Sequence, residues 1–286
     1  MRIIVRVTVL LAPTMFRYIP TMRHSLLFPA AIFFVAASCA SLGKVHTETV
    51  EYKDGETVLE GFLAYDAERK GKRPAILVIH DWMGVAEYSK GRAEEIAGLG
   101  YVAFVPDIYG KGVRPANAQE ASAEAGKYKS DRALLRRRAN AGLKQLAQHA
   151  LVDPAQIAAI GYCFGGTSVL ELARSGADVR GVISFHGGLD SPSPADGKNI
   201  KAQVLVLHGA DDPFVKPADI AAFQDEMRAA KIDWQMVYYG DAVHSFTQKG
   251  AGTDKSKGAA YQEAANRRSW KAMLDFFEEL FPKSAK

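Results

Sequence analysis

Four short runs of almost unbroken apolar residues, 75–79, 101–105, 157–161 and 179–184, limit what this chain can fold into more than any other feature. A strand with one wet face alternates apolar and polar side chains, so a run without alternation belongs to a strand covered on both faces, as in a parallel sheet. Residues 203–207 and 234–238 supply two more strands. Residues 45–52 and 58–65 do alternate, and Lys53-Asp54-Gly55 between them is a hairpin turn signal. Intervening segments carry helical spacing. Pro217 sits in a first turn followed by Ile220, Phe223 and Met227, and a final stripe runs through Trp270, Met273, Leu274, Phe277, Leu280 and Phe281. Strand and helix alternation over this length predicts an α/β fold, a mostly parallel doubly wound sheet of about eight strands with helices on both faces. Ligands of such a sheet bind at the carboxyl ends of its strands.

At 286 residues, 48% hydrophobic and 24% charged, the chain can bury a full core in one large domain without disulfides or metal. The net charge of +4 resides in the first 40 residues, where Arg2, Arg6, Arg17 and Arg23 meet no acidic residue. The remainder is charge-balanced, which argues against a nucleic-acid partner. From Met22 a charged start (Arg23, His24) leads into an apolar stretch, 26–37, and then Ser38-Cys39-Ala40, the order of a secretory signal. Residues 1–40 are therefore expected to be a leader and 41–286 the folded domain, with an exported, periplasmic or secreted product. Cleavage after Ala40 is the first expectation; lipidation at Cys39, or retention of the leader as an anchor, would instead tie the protein to a membrane.

Only two cysteines are present, and Cys163 is the one in the body. It could be a small buried hydrophobe in a glycine-rich turn. Its setting says otherwise: an apolar strand runs directly into Gly161-Tyr162-Cys163-Phe164-Gly165-Gly166 and a helix follows, the strand-turn-helix context of a nucleophile elbow. Glycines flank the nucleophile because strand and helix backbones approach too closely for a Cβ. At the amino end of a helix, free amides and the dipole favour a thiolate. Elbow hydrolases carry their carboxylate and histidine later in the chain, in that order. The loop after 203–207 offers Asp211 and Asp212, with Asp212 preferred, and the loop after 234–238 holds His244, the only histidine beyond position 208. His80, His186 and His208 each end a predicted strand and could face a ligand or simply satisfy backbone groups; His46 and His149 read as surface residues. No zinc, haem or phosphate-cradling pattern is present, so no cofactor and no metal is expected.

Together with Ile79-His80-Asp81-Trp82-Met83-Gly84 and Pro106-Asp107-Ile108-Tyr109-Gly110, these motifs resemble the dienelactone hydrolase family over residues 45–281. The resemblance implies an α/β-hydrolase with a cysteine nucleophile, an oxyanion hole from the Trp82 and Phe164 amides, and a thiol-gating carboxylate at Asp81, where the family has glutamate. It also places Gln248 where the family carries a carboxylate-binding arginine. Tyr162, His186 and Gln248 are expected around the substrate pocket. The basic run Lys127, Lys129, Arg132, Arg136, Arg137 and Arg138 offers another carboxylate anchor or a solvated face. The expected activity is hydrolysis of a small ester or lactone by a monomer through Cys163, His244 and Asp212. A non-catalytic ligand-binding protein on the same fold, and a thioesterase or acyltransferase sharing the site, are the competing readings.

Overall fold

The computed structural model describes residues 44–281, so the leader and its cleavage site lie outside the described residues. All eight expected strands form: β1 (Val45–Asp54), β2 (Thr57–Asp66), β3 (Arg73–Ile79), β4 (Val102–Val105), β5 (Val152–Tyr162), β6 (Gly181–Phe185), β7 (Gln203–Gly209) and β8 (Trp234–Tyr239). They make one sheet in the order β1-β2-β4-β3-β5-β6-β7-β8, antiparallel among β1, β2 and β4 and parallel from β4 onwards. The hairpin turns at Gly55, whose φ of +59° is costly for a residue with a side chain.

The uninterrupted apolar runs divide by parity between two cores. Ala75, Leu77 and Ile79 of β3 and Ile157 and Ala159 of β5 face one layer, while Ile76, Val78, Ala158 and Ile160 face the other. The first layer holds α3 (Arg132–Ala147), α4 (Phe164–Arg174) and α5 (Pro217–Ala230); the second holds α1 (Glu87–Gly98) and α6 (Glu263–Leu280). Met273, Phe277 and Leu280 of the expected α6 stripe are buried, joined by Phe276, while Trp270 and Leu274 stay half-buried at its margin. The remaining helix, α2 (Ala118–Ser130), starts at Asn117, whose side chain accepts the Glu120 amide at 3.0 Å; Asp131 likewise caps α3 through the Leu134 amide at 2.9 Å. Each cap satisfies an amide that has no partner within its helix.

Most of the basic run is consumed in structure. Arg136 bonds Glu171 and Asp196, Arg138 bonds Asp54 and Thr57, and Arg132 reaches Asp190. Behind them Arg174, 1% exposed, makes two parallel bonds to Glu226 at 2.8 and 2.7 Å and a third to Glu171 at 2.9 Å. This pairing fastens the carboxyl end of α4 to α5. Removing one member of a buried ion pair strands its partner's charge. Arg174→Met is therefore expected to lower the unfolding free energy by about 3–5 kcal/mol in chemical denaturation.

Candidate active site

β5 is the central parallel strand, and it delivers Tyr162 into a turn whose apex, Cys163, has φ +56° and ψ −113°. That conformation is strained for a residue with a Cβ. It persists because the neighbours leave no alternative path. A Cβ on Gly161 would lie 2.0 Å from the Gly165 carbonyl oxygen, and one on Gly165 would lie 2.1 Å from that of Ile79. The two flanking glycines thus mark the closest approach of strand and helix. Phe164 is the first residue of α4, so its amide has no acceptor within the helix.

Above the turn three side chains form a row. His244 Nδ1 donates to Asp212 Oδ2 at 2.8 Å, and His244 Nε2 lies 3.0 Å from Cys163 Sγ. Asp212 is buried, and its other oxygen accepts the Phe214 amide at 2.9 Å; the adjacent Asp211 is exposed and gives only a backbone bond, to Ala242. Burial opposes charge on the His244 ring, yet the Cys163 sulfur and the Asp212 carboxylate outweigh it and push the imidazole up to about 10. The ring is thus held between a sulfur and a carboxylate, one at each nitrogen. The polar segment that follows His244 in sequence has a task here: the Gly258 carbonyl accepts the His244 amide at 3.1 Å and the Ala260 amide donates back at 3.0 Å.

A cavity of about 560 Å³ opens over the sulfur. Trp82, Phe164, Phe214 and Val215 give it apolar walls, and among the described residues Lys129 and Lys257 are the charged side chains that line it besides His244. Trp82 is fixed from two sides, since its carbonyl accepts the Tyr109 hydroxyl at 3.1 Å and the next amide, Met83, donates to Asp81 Oδ1 at 2.8 Å. The second Asp81 oxygen accepts Gln248 Nε2 at 2.7 Å. Burial raises the Asp81 carboxyl above its ordinary value, and those two bonds draw it back.

Three residues expected around the pocket do not line it. Tyr162 points through the sheet into the α1 and α6 layer, 1% exposed and stacked on Phe185 at 4.5 Å, because side chains alternate along a strand. His186 is fully buried beneath the elbow, with φ +40° turning its ring away from solvent. Gln248 is spent on Asp81. His80 satisfies backbone groups, donating from Nδ1 to the Asp81 carbonyl at 2.6 Å and accepting the Ile108 amide at Nε2 at 3.2 Å. Sequence reasoning missed Phe214 and Lys257; the exposed phenylalanine directly after Asp212-Pro213 was the available signal for the first.

The dienelactone hydrolase family matches this chain over residues 59–281. A relative from Bradyrhizobium, named "Probable 2-oxo-3-(5-oxofuran-2-ylidene)propanoate lactonase", is 30% identical over 215 residues, covering 70% of this chain and 86% of that protein. Among solved structures, a dienelactone hydrolase-like promiscuous phosphotriesterase from metagenomic libraries is 41% identical with a TM-score of 0.79, covering 84% of this chain and all of that one. Another, titled m3DLH, is 39% identical with a TM-score of 0.80 and the same coverage.

Burial holds His80 neutral down to about 4, below the ordinary histidine value, and holds His186 well below it as well. A depressed folded-state value means that the unfolded chain takes up the proton first, so this stabilisation is intact above about pH 6.5 and is lost as pH falls towards 4. Each histidine contributes a slope of at most about 1.4 kcal/mol per pH unit in that window. Denaturation midpoints measured between pH 7 and 4.5 are expected to fall, and His80→Gln, weaker at pH 7, is expected to lose less on acidification than the wild type.

Proposed function

Because this chain belongs to the dienelactone hydrolase family, we propose that it hydrolyses a small ester or lactone through a thioacyl intermediate on Cys163. One observation carries the reading: carboxylate, imidazole and sulfur stand in a continuous row, at 2.8 and 3.0 Å, whose imidazole and sulfur line a cavity of about 560 Å³.

The Cys163 thiolate attacks the carbonyl carbon, and the carbonyl π electrons move to oxygen, where the Trp82 and Phe164 amides stabilise the oxyanion. Collapse breaks the C–O bond; His244 gives its Nε2 proton to the leaving alkoxide, which in a lactone stays attached to the acyl portion. Neutral His244 next takes a proton from water as the oxygen attacks the thioester, and collapse returns the thiolate beside an imidazolium. Asp212 keeps the proton on Nδ1 throughout, so that Nε2 always faces the reacting atoms. Asp81 acts on the rim of the site: bonded to Met83 and Gln248, it holds the segment that carries the Trp82 amide.

The cavity suits a compact apolar acyl or leaving group, with Trp82 and Phe214 supplying flat walls and the lysines leaving an anionic substituent unopposed. The relative named as a phosphotriesterase gives reason to include a neutral phosphotriester in the substrate panel.

Cys163→Ala and His244→Ala are each expected to cut kcat/KM for p-nitrophenyl acetate by at least about 100-fold, the lower end of what a positioned base contributes. Asp212→Asn is expected to reduce kcat more than it changes KM. Full activity in either alanine variant would contradict the assignment.

A further inference from the structure

Directly beneath the reacting row lies a second chain of polar groups. His186 Nδ1 accepts the Cys163 backbone amide at 3.1 Å, sharing it with the Phe185 carbonyl at 3.0 Å. Its other nitrogen, Nε2, lies 2.8 Å from Thr247 Oγ1, and Thr247 Oγ1 lies 2.7 Å from the Tyr88 hydroxyl. Arg92 closes the chain, donating to the Thr247 carbonyl at 3.1 Å and to Asn266 Oδ1 at 3.2 Å. His186 and Thr247 are 0% and 3% exposed, so each of these groups depends on protein partners.

The bonds fix the proton's position. A nitrogen that accepts an amide carries no hydrogen, so the neutral ring has its hydrogen on Nε2 and donates it to Thr247. Whichever of Tyr88 and Thr247 donates to the other, the Thr247 oxygen accepts from His186. The ring therefore links the elbow of Cys163 to the loop of His244, which is three residues before Thr247. It also packs edge to face against His244, with centroids 5.2 Å apart and planes at 65°, and against Phe246 at 5.1 Å and 82°.

We propose that His186 is a positioning residue for the reaction: a neutral Nε2-protonated strut that sets the distance between Cys163 Sγ and His244 Nε2 by tying their two loops together. The proposal rests on the reading of Cys163 as nucleophile, since only there does that distance control chemistry. Neutrality is part of the role. An imidazolium would lose the lone pair that holds the Cys163 amide and would set a like charge against the His244 imidazolium. Burial, then the charge on His244, keep His186 far below its ordinary value, with Arg92 adding to the effect. His208 lowers it further, and the remaining neighbours on the packed elements, Thr247 and the Tyr88 and Tyr162 hydroxyls that burial pushes up, present no charge. A positive φ is also met by histidine and asparagine more readily than by branched or bulky residues.

Three variants test this: His186→Leu, which removes both bonds; His186→Asn, which tolerates the backbone and keeps an acceptor near the Nδ1 position; and Thr247→Val, which removes only the far anchor. In His186→Leu, kcat is expected to fall by about 10- to 100-fold with KM nearly unchanged, the scale of a sub-ångström to 1 Å misplacement. The pH profile of its iodoacetamide alkylation is expected to move to higher pH than that of the wild type, because the sulfur stands farther from the imidazole. Thr247→Val is expected to shift both readouts in the same direction by less, and His186→Asn to recover most of the loss. If His186→Leu does not fold, the other two decide. A folded His186→Leu or Thr247→Val with wild-type kcat and alkylation profile overturns the proposal, as does a His186→Asn variant no better than leucine. Alkylation needs no substrate, so failure of the hydrolase reading, seen as ester turnover that survives Cys163→Ala, stays distinguishable from failure of the strut.

Discussion

The contact between the end of β5 and the first turn of α4 is the constraint from which the site follows. Two glycines let the backbones come within a distance that no side chain could occupy, and the residue between them is driven to φ +56° at the tip. Strain of this kind survives only when the surroundings over-determine it. Here the sheet supplies one side of the vice through the Ile79 carbonyl, and β6 supplies the other through Phe185 and His186. The sulfur is held clear of the sheet, at the amino end of a helix, before any partner is considered.

The remaining groups arrive on neighbouring strand ends. The loop after β7 brings Asp212 and the turn after β8 brings His244, so the row spans the ends of the parallel strands β5, β7 and β8, with β6 lying between β5 and β7. His186 directly follows β6. A buried imidazole is costly unless both nitrogens are partnered, and both are. The ion network of Arg174, Glu171 and Glu226 performs a comparable service at the far end of α4, anchoring the helix whose first turn faces the cavity. Stability and site geometry thus share the same elements.

Much of this was legible in the sequence, for physical reasons. Apolar runs without alternation signalled strands with two covered faces, and β3 and β5 do divide their side chains between two cores. The elbow was legible because a close backbone approach requires glycine at fixed spacing. The direction of side chains at strand ends was missed. Tyr162 and His186 sit within reach of the nucleophile in sequence or register, but alternation sends one through the sheet and a positive φ folds the other beneath the turn. The parity of Tyr162 with Ala158 and Ile160 was the signal for the first; the positive φ of His186 has no signature in a linear pattern. Gln248 was recognised as a departure from the family, while its bond to Asp81 depends on two loops 167 residues apart. The choice between Asp211 and Asp212 turned on a single residue's rotation in a loop, which periodicity cannot resolve.

The central claim is that the Cys163 sulfur becomes acylated during turnover. Acid-quenched mass spectrometry of the protein mixed with a slowly turned-over ester tests it directly. The account predicts a mass increment equal to the acyl group, mapped to the peptide containing Cys163 and released by hydroxylamine. Turnover that leaves Cys163 unmodified while the acyl group appears on another residue would contradict it.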